Sequence, residues 1–186
     1  MKNFNAILNK NDIVEMEITS MTSDGKGVGR VNSVVVFVPE TAIGDFVSVK
    51  IVKVLKNYCF GKLVEIIRPS QDRCKNECPV FEKCGGCAYR HINYDAEINL
   101  KAEQVFHNVS SIGKAQYKKG KPIFNIKNTQ RYRNKAQYPI GRSVDGKIIA
   151  GFYAPRSHRI ISVEDCLLQP QVFSEILKDC IVFFEK

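Results

Sequence analysis

The sequence has no tryptophan, no long apolar run and no amino-terminal targeting pattern. A membrane-spanning helix needs about eighteen or more consecutive apolar residues, and a secretory signal needs a basic start before a shorter apolar stretch. Without either pattern, we expect no membrane association and a location in the reducing cytoplasm. The seven cysteines are then expected to be metal ligands or free thiols rather than disulfides. A length of 186 residues allows one large domain or two small ones.

Acidic residues are scarce between Lys114 and Arg159. This segment holds twelve Lys or Arg and one acid, Asp145, so its net charge of +11 exceeds the +9 of the whole chain. A basic stretch can be no more than a solvated surface. Here aromatic residues are interleaved with the cations, namely Tyr117, Tyr132, Tyr138, Phe152 and Tyr153. Because stacked bases and phosphates need this combination, the segment favours nucleic acid as a partner.

The residue pattern in the first third of the chain predicts a series of short strands. β-Branched and aromatic residues predict strands over residues 12–19, 34–38, 46–55 and 58–67. Turn signals between them include Gly25, Gly27, Gly29 and Gly44. Closely spaced strands with no helical period between them predict a small closed barrel of the OB type over residues 1–68, a fold that commonly binds oligonucleotides. Residues 25–29 superficially resemble a nucleotide-binding loop, but no helix follows, so a barrel hairpin is the better interpretation.

Residues 69–186 are predicted to form an α+β domain. Apolar spacings of four and three predict an amphipathic helix over residues 94–112 with its apolar stripe in the core, Asn93 or Asp95 as the cap and Gly113 as the stop. Strands are predicted around residues 124–126, 132–140, 148–153 and 159–163, with a hairpin turn at residues 145–146. Pro170 begins a last helix whose apolar face needs a partner layer, so we expect this domain to be incomplete.

Cysteines cluster after the predicted barrel at Cys74, Cys78, Cys84 and Cys87, and Cys166 follows much later. Thiolates are soft ligands that favour zinc or iron–sulfur clusters. Two close pairs, at 74 and 78 and at 84 and 87, can form a zinc site, although only five residues separate the pairs. Three cysteines at 78, 84 and 87 with the remote one at 166 can instead hold a four-iron cluster. Spacing alone leaves both metals open, and we expect the remaining Cys59 and Cys180 to be unligated.

Several separated motifs resemble known families, in the same order along the chain. GKGVGR at residues 25–30, VVFVP at 35–39 and GD at 44–45 are similar to a TRAM domain. CPVFEKCGGC at 78–87, YRNKAQ at 132–137, GFY at 151–153, SH at 157–158 and CLLQ at 166–169 resemble the iron–sulfur and central regions of bacterial 23S rRNA (uracil-5-)-methyltransferases. The likeness covers nearly the whole chain.

This resemblance implies a mainly β fold with α, in which a small OB-like TRAM barrel precedes an incomplete α+β iron–sulfur and central domain. It also implies a [4Fe-4S] cluster held by Cys78, Cys84, Cys87 and Cys166, with Cys74 outside the ligand pattern. In the family, a separate carboxy-terminal domain binds S-adenosylmethionine and supplies the catalytic cysteine. This sequence contains no strand, glycine turn and helix of the Rossmann type. We therefore expect the chain to bind RNA but not to methylate it alone, with the missing domain or another chain as a partner.

The resemblance further implies ribosomal RNA as the partner, at a single-stranded or looped uridine. Extruding a base from the RNA stack costs a few kcal/mol, which contacts elsewhere must supply. The expected contacts in the basic segment are Arg131, Arg133, Lys135, Arg156 and His158. Those expected on the barrel are Lys26, Arg30, Lys53 and Lys62. The cluster is expected to be a structural staple, because nothing in the sequence suggests an electron partner.

Three functions fit the sequence. The favoured one is the RNA-binding amino-terminal portion of a 23S rRNA uracil-C5 methyltransferase. The second is a stand-alone RNA-binding module with a cluster or zinc and no catalysis, which the unpartnered apolar helix argues against. The third is a small electron-transfer protein, which the strongly basic segment argues against.

Overall fold

The computed structural model describes residues 8–118, 120 and 128–186. The chain separates into two compact units, one comprising Met1–Lys75 and Ala88–Ile123 and the other Asn76–Cys87 and Phe124–Lys186. The first unit contains a barrel and a helix, and the second contains a small sheet and a helix. The sequence predicts a domain boundary between residues 68 and 69, directly after the last barrel strand. The two compact units are divided differently, because the first also includes Ala88–Ile123.

Five strands close into the barrel in the order β1-β2-β3-β5-β4. They are β1 (Ile13–Met21), β2 (Gly27–Val31), β3 (Val34–Val38), β4 (Phe46–Val54) and β5 (Tyr58–Arg68). β3 and β5 pair in parallel, and the other neighbouring strands pair antiparallel. Alternate residues point inward, so that β-branched side chains form the core, among them Ile18, Val36, Val38, Val47, Val49 and Ile51. The predicted fold class, mainly β with an OB-like barrel and α+β region, is confirmed.

Strand β2 corrects the prediction of turns at Gly27 and Gly29. Both glycines lie within the strand and are buried. A Cβ added to Gly29 would lie 2.7 Å from the Met16 sulfur, and one added to Gly27 would lie 2.0 Å from Thr41 Oγ1. These glycines are therefore needed for close packing inside the barrel rather than for a turn.

Helix α1 (Tyr94–His107) continues through a π-helical turn, Asn108–Ile112, up to Gly113. The predicted extent and cap agree with the structure, because Asn93 Oδ1 accepts a hydrogen bond from the Ala96 N–H at 2.8 Å. The predicted core stripe is wrong. Ile98 is buried, but Val105 and Ile112 are 54% and 72% exposed. Periodicity shows that a helix is amphipathic, but only packing decides which of its apolar residues are covered.

The second unit contains a three-stranded antiparallel sheet, β6 (Ile140–Arg142), β7 (Ile148–Tyr153) and β8 (Ile160–Ser162). The predicted hairpin turn joins β6 to β7, where Gly146 has a φ of +82°. The strand predicted over residues 132–140 is wrong except at its end, because β6 begins at Ile140. The strand predicted at residues 124–126 lies outside the described residues.

Helix α2 (Gln171–Glu185) follows Pro170, as predicted. Its side chains at Ser174 and Leu177 are buried. Much of its apolar surface is exposed, at Val172, Ile176, Val182, Phe183 and Phe184. No helix within the described residues is long and apolar enough to cross a membrane.

Candidate metal centre and nucleic-acid interface

Four cysteines line one cavity of about 330 Å³ in the second unit. Cys78, Cys84 and Cys87 lie on the loop at residues 78–87, and Cys166 lies between β8 and α2. The cavity is thus formed by segments almost eighty residues apart in the sequence. All seven cysteines are within the described residues, and no disulfide joins them. Cys59 is buried in the barrel core.

The glycine pair between Cys84 and Cys87 lets this loop approach strand β7. The Gly85 N–H donates a hydrogen bond to the Tyr153 carbonyl at 2.9 Å. A Cβ on Gly85 would lie only 2.8 Å from the same oxygen, so a larger residue would separate the loop from the strand. The Gly86 N–H donates to Cys84 Sγ at 3.4 Å. The loop therefore combines a close backbone contact with a hydrogen bond to a thiol.

The thiols affect one another electrostatically. Burial raises the pKa of Cys84, the Gly86 N–H lowers it, and the neighbouring Cys78 and Cys166 raise it again. Crowded thiolates repel one another, and a bound cation would remove this penalty and hold the thiols deprotonated. The donor set therefore fits a soft metal or cluster in its chemistry. Across residues 8–118, 120 and 128–186, however, no group of three or more His, Cys, Asp or Glu side chains is arranged to hold a metal ion.

Arg131 organises the segment that carries Cys166. Its guanidinium donates to both carboxylate oxygens of Asp165 at 2.6 Å, and to the carbonyls of Cys166 at 3.3 Å and Gln169 at 3.0 Å. Ser174 Oγ donates to the same carboxylate at 2.8 Å. The Arg131 guanidinium lowers the pKa of Asp165 to about 2. The guanidinium donors of Arg131 therefore hold a protein loop, which makes Arg131 less suited to bind RNA than its exposed neighbours Arg133 and Lys135.

Backbone contacts of Arg131 and Arg133 also explain why no strand forms over residues 132–139. The backbone N–H groups of Arg131 and Arg133 donate to the carbonyls of Leu167 and Leu168, each at 2.8 Å. These bonds tie the segment to the residues after Cys166 instead of to the sheet. The sequence analysis did not single out Asp165. The available signal was an acidic residue directly before Cys166, which could pair with an arginine of the basic segment.

The other predicted RNA contacts of the second unit are exposed. Arg133 and Lys135 line the cysteine cavity. Arg156 and His158 lie in the loop between β7 and β8, where Arg156 has a φ of +55°. The His158 ring packs edge-on against Tyr153, with centroids 5.5 Å apart. The structure therefore places Arg133 and Lys135 at one cavity and the other pair on one loop.

The predicted barrel contacts differ among themselves. Arg30, Lys53 and Lys62 are exposed on β2, β4 and β5. Lys26 is mostly covered, with 18% of its side chain exposed, and forms an ion pair with Asp24. An intramolecular acid partner makes Lys26 the least suited of the four to bind a phosphate.

Comparison with known proteins shows what the barrel and the fold are similar to. The TRAM domain family model matches residues 9–64, the segment that forms the barrel. A solved tRNA (uracil-54, C5)-methyltransferase of Pyrococcus abyssi has the same fold over 91% of this chain and 36% of its own, with a TM-score of 0.60 and 20% identity. Residues 9–64 thus match a TRAM domain, and the likeness to the solved structure shows the fold.

Three further proteins match most of this chain in sequence. The chain is 41% identical over 173 residues to a protein of Halalkalibacterium halodurans, 38% identical over 177 residues to one of Clostridium tetani and 37% identical over 171 residues to one of Synechocystis. These matches cover 93%, 95% and 90% of this chain. All three bear the name uncharacterized RNA methyltransferase. The chain spans only 38%, 38% and 37% of their lengths. The chain is therefore similar to part of proteins that are named RNA methyltransferases.

Proposed function

We propose that this chain is the RNA-binding, iron–sulfur-containing portion of an S-adenosylmethionine-dependent 23S rRNA uracil-C5 methyltransferase. The observation that carries the proposal is the gathering of four cysteines, from two distant segments, around one cavity. The TRAM barrel and the relatives named RNA methyltransferases support it. Methyl transfer and the binding of S-adenosylmethionine belong to a domain outside the present sequence. The cytoplasm is the proposed location, because reduced thiols are needed as ligands.

In this proposal Cys78, Cys84, Cys87 and Cys166 would hold a [4Fe-4S] cluster. The cluster would act as a staple between the loop at residues 78–87 and the segment beside Asp165, which Arg131 already anchors. A covalent link between segments so distant in the sequence constrains the unfolded chain, so its loss would loosen the second unit.

RNA would be held by exposed cations of both units. Arg133 and Lys135 are the first candidates, because both are exposed and line the cysteine cavity. Arg156 and His158 on the β7–β8 loop, and Arg30, Lys53 and Lys62 on the barrel, are further contacts. Arg131 is left out because it is engaged with Asp165. Phosphate contacts of this kind supply affinity and make it dependent on salt.

Metal analysis tests the cofactor. We expect the protein purified without oxygen to be brown and to contain about four irons and matching sulfide per chain. Cys84→Ser and Cys166→Ser should each lose most of this iron, whereas Cys180→Ser, at a partly buried position in α2 away from the cavity, should retain it. Stoichiometric zinc in the wild-type protein, or full iron in both ligand variants, would contradict the assignment.

RNA binding is tested with 23S rRNA fragments and with tRNA as a competing substrate. The double variant Arg133→Gln with Lys135→Gln should bind RNA more weakly. The slope of log affinity against log salt concentration should fall by about 1 to 2, because two phosphate contacts are lost. The matched control removes the same charge from Lys178 of α2 and from Lys186, the residue after this helix, in Lys178→Gln with Lys186→Gln. An equal loss in both double variants would show that net charge, and not the cavity rim, governs binding. Preference for tRNA would contradict the ribosomal substrate.

A further inference from the structure

Three aromatic side chains form a cluster on the barrel that the methyltransferase proposal does not use. Phe37 lies on β3, and Tyr58 and Phe60 lie on β5. Their ring centroids are 5.4 Å apart for Phe37 and Tyr58, 5.7 Å for Phe37 and Phe60, and 5.6 Å for Tyr58 and Phe60. The Tyr58 ring is nearly perpendicular to both phenylalanine rings, at 88° and 86°. Each ring of this aromatic cluster therefore contacts the other two.

The aromatic cluster is on the outer surface of the barrel. The parallel pairing of β3 with β5 places Val35 opposite Tyr58 and Phe37 opposite Phe60. The residues between them, Val36 and Cys59, are 0% and 1% exposed and belong to the core. Since side chains alternate between the faces of a strand, the three rings point outward. Tyr58 is 37% exposed.

The charge around these rings is of one sign. Lys53 is the cross-strand neighbour of Phe60, Lys62 follows Phe60 by two residues on the same face of β5, and Arg30 is opposite Val35 on the neighbouring β2. All three cations are exposed. Strands β2, β3 and β4 contain no acidic residue, and the acid of β5, Glu65, lies five residues beyond Phe60. A polyanion that also presents flat apolar faces complements this surface.

We propose that the aromatic cluster of Phe37, Tyr58 and Phe60 is a stacking platform for unpaired bases of single-stranded RNA, with Lys53, Lys62 and Arg30 binding the adjacent phosphates. The inference rests on the proposed RNA-binding function and assigns part of it to a defined site. Aromatic platforms beside cations hold single strands with little sequence preference, because every base has a π-face. The barrel would thus hold the unpaired RNA that flanks a looped uridine.

The test separates stacking from charge in the 186-residue chain. Affinity for an unstructured uridine-rich RNA of about ten nucleotides is measured by fluorescence anisotropy at several salt concentrations. Tyr58→Leu keeps an apolar side chain but removes the ring, and should weaken binding about 10-fold with an unchanged salt slope. Tyr58→Phe keeps the ring and should bind like the wild type. Lys53→Gln should reduce the salt slope by about 1. Val64→Ala, at an exposed apolar position of β5 that is 55% exposed, is the matched control.

A second measurement locates the RNA directly. The same RNA carrying 4-thiouridine is cross-linked to the wild-type protein, and the modified peptide is identified by mass spectrometry. We expect cross-links at Tyr58 or Phe60. Wild-type affinity of Tyr58→Leu, or cross-links confined to the basic segment, would overturn the platform while leaving the proposed RNA binding intact. A wild-type protein that binds neither this RNA nor rRNA fragments would overturn both proposals.

Discussion

Asp45 is the side chain whose replacement should most clearly destabilise the barrel. It is completely buried and accepts hydrogen bonds from the N–H groups of Ala42 at 2.6 Å and Ser70 at 2.8 Å. Arg73 adds three short contacts, from Nε at 2.9 and 3.1 Å and from Nη2 at 2.8 Å. Nη2 of Arg73 also donates to the Glu40 carbonyl at 2.8 Å. This ion pair fastens the chain after β5 to the loop before β4.

The magnitude follows from the groups that Asp45→Asn leaves unpaired. An asparagine has one acceptor oxygen where the carboxylate has two, and its NH₂ group would face either the Ala42 N–H or the Arg73 guanidinium. At least one buried donor then meets another donor, and Arg73 loses its charged partner. Breaking a buried ion pair on one side costs about 3–5 kcal/mol. We therefore expect a loss of about that size in the free energy of unfolding.

Urea unfolding followed by circular dichroism measures this loss. Glu15→Gln removes the same charge at an exposed position of β1 and should change the free energy of unfolding by less than about 0.5 kcal/mol. A loss below about 1 kcal/mol in Asp45→Asn, or an equal loss in the control, would refute the reasoning, since the pair would then contribute no more than a surface contact.

The difference in the free energy of unfolding between the wild type and Asp45→Asn should depend on pH. Burial raises the pKa of Asp45, but Arg73 and the N–H groups of Ala42 and Ser70 lower it more, so that it lies below its usual value. A carboxyl group with a lowered pKa in the folded state stabilises the fold above the unfolded pKa of about 3.9, and this contribution is lost as pH falls through the folded value. The difference between wild type and Asp45→Asn should therefore be constant near neutral pH and should shrink below about pH 4.

Three further predictions concern other parts of the fold. A Cβ on Gly61 would lie 2.2 Å from Val49 Cγ1. Gly61→Ala should therefore lower the free energy of unfolding, measured by urea titration, by about 1–3 kcal/mol. An unchanged free energy would mean that the barrel core can relax around the added methyl group. Arg131→Gln should raise the pKa of Asp165, followed by NMR, from about 2 toward the usual value of about 3.9, unless Ser174 is the dominant partner. Asn93→Ala should cost about 1 kcal/mol, because the Ala96 N–H loses its cap, whereas Asn93→Asp should cost little.

Local patterns predicted most of the strands of this chain. The strands predicted over residues 34–38 and 148–153 match β3 and β7 to the residue, and the other barrel predictions differ from β1, β4 and β5 by at most two residues at either end. These segments are rich in β-branched and aromatic residues and lie between turn signals, so their strand character is visible in the local sequence. Strand β2 was not predicted, because glycine is also common in turns. Only the packing of Met16 and Thr41 against its glycines shows that they belong to a strand.

The sequence by itself determined the strand and helix types, the OB-like class and the set of thiols available to a metal, since all of these depend on residue type and spacing. Spacing alone left two cysteine sets open, and the resemblance implied the four that the tertiary structure places around one cavity. Only the tertiary structure decided that Arg131 holds Asp165 and that Phe37 meets Tyr58 and Phe60 outside the barrel. Residue spacing carries no information about partners twenty to eighty positions away, whose approach depends on strand register and the path of the chain.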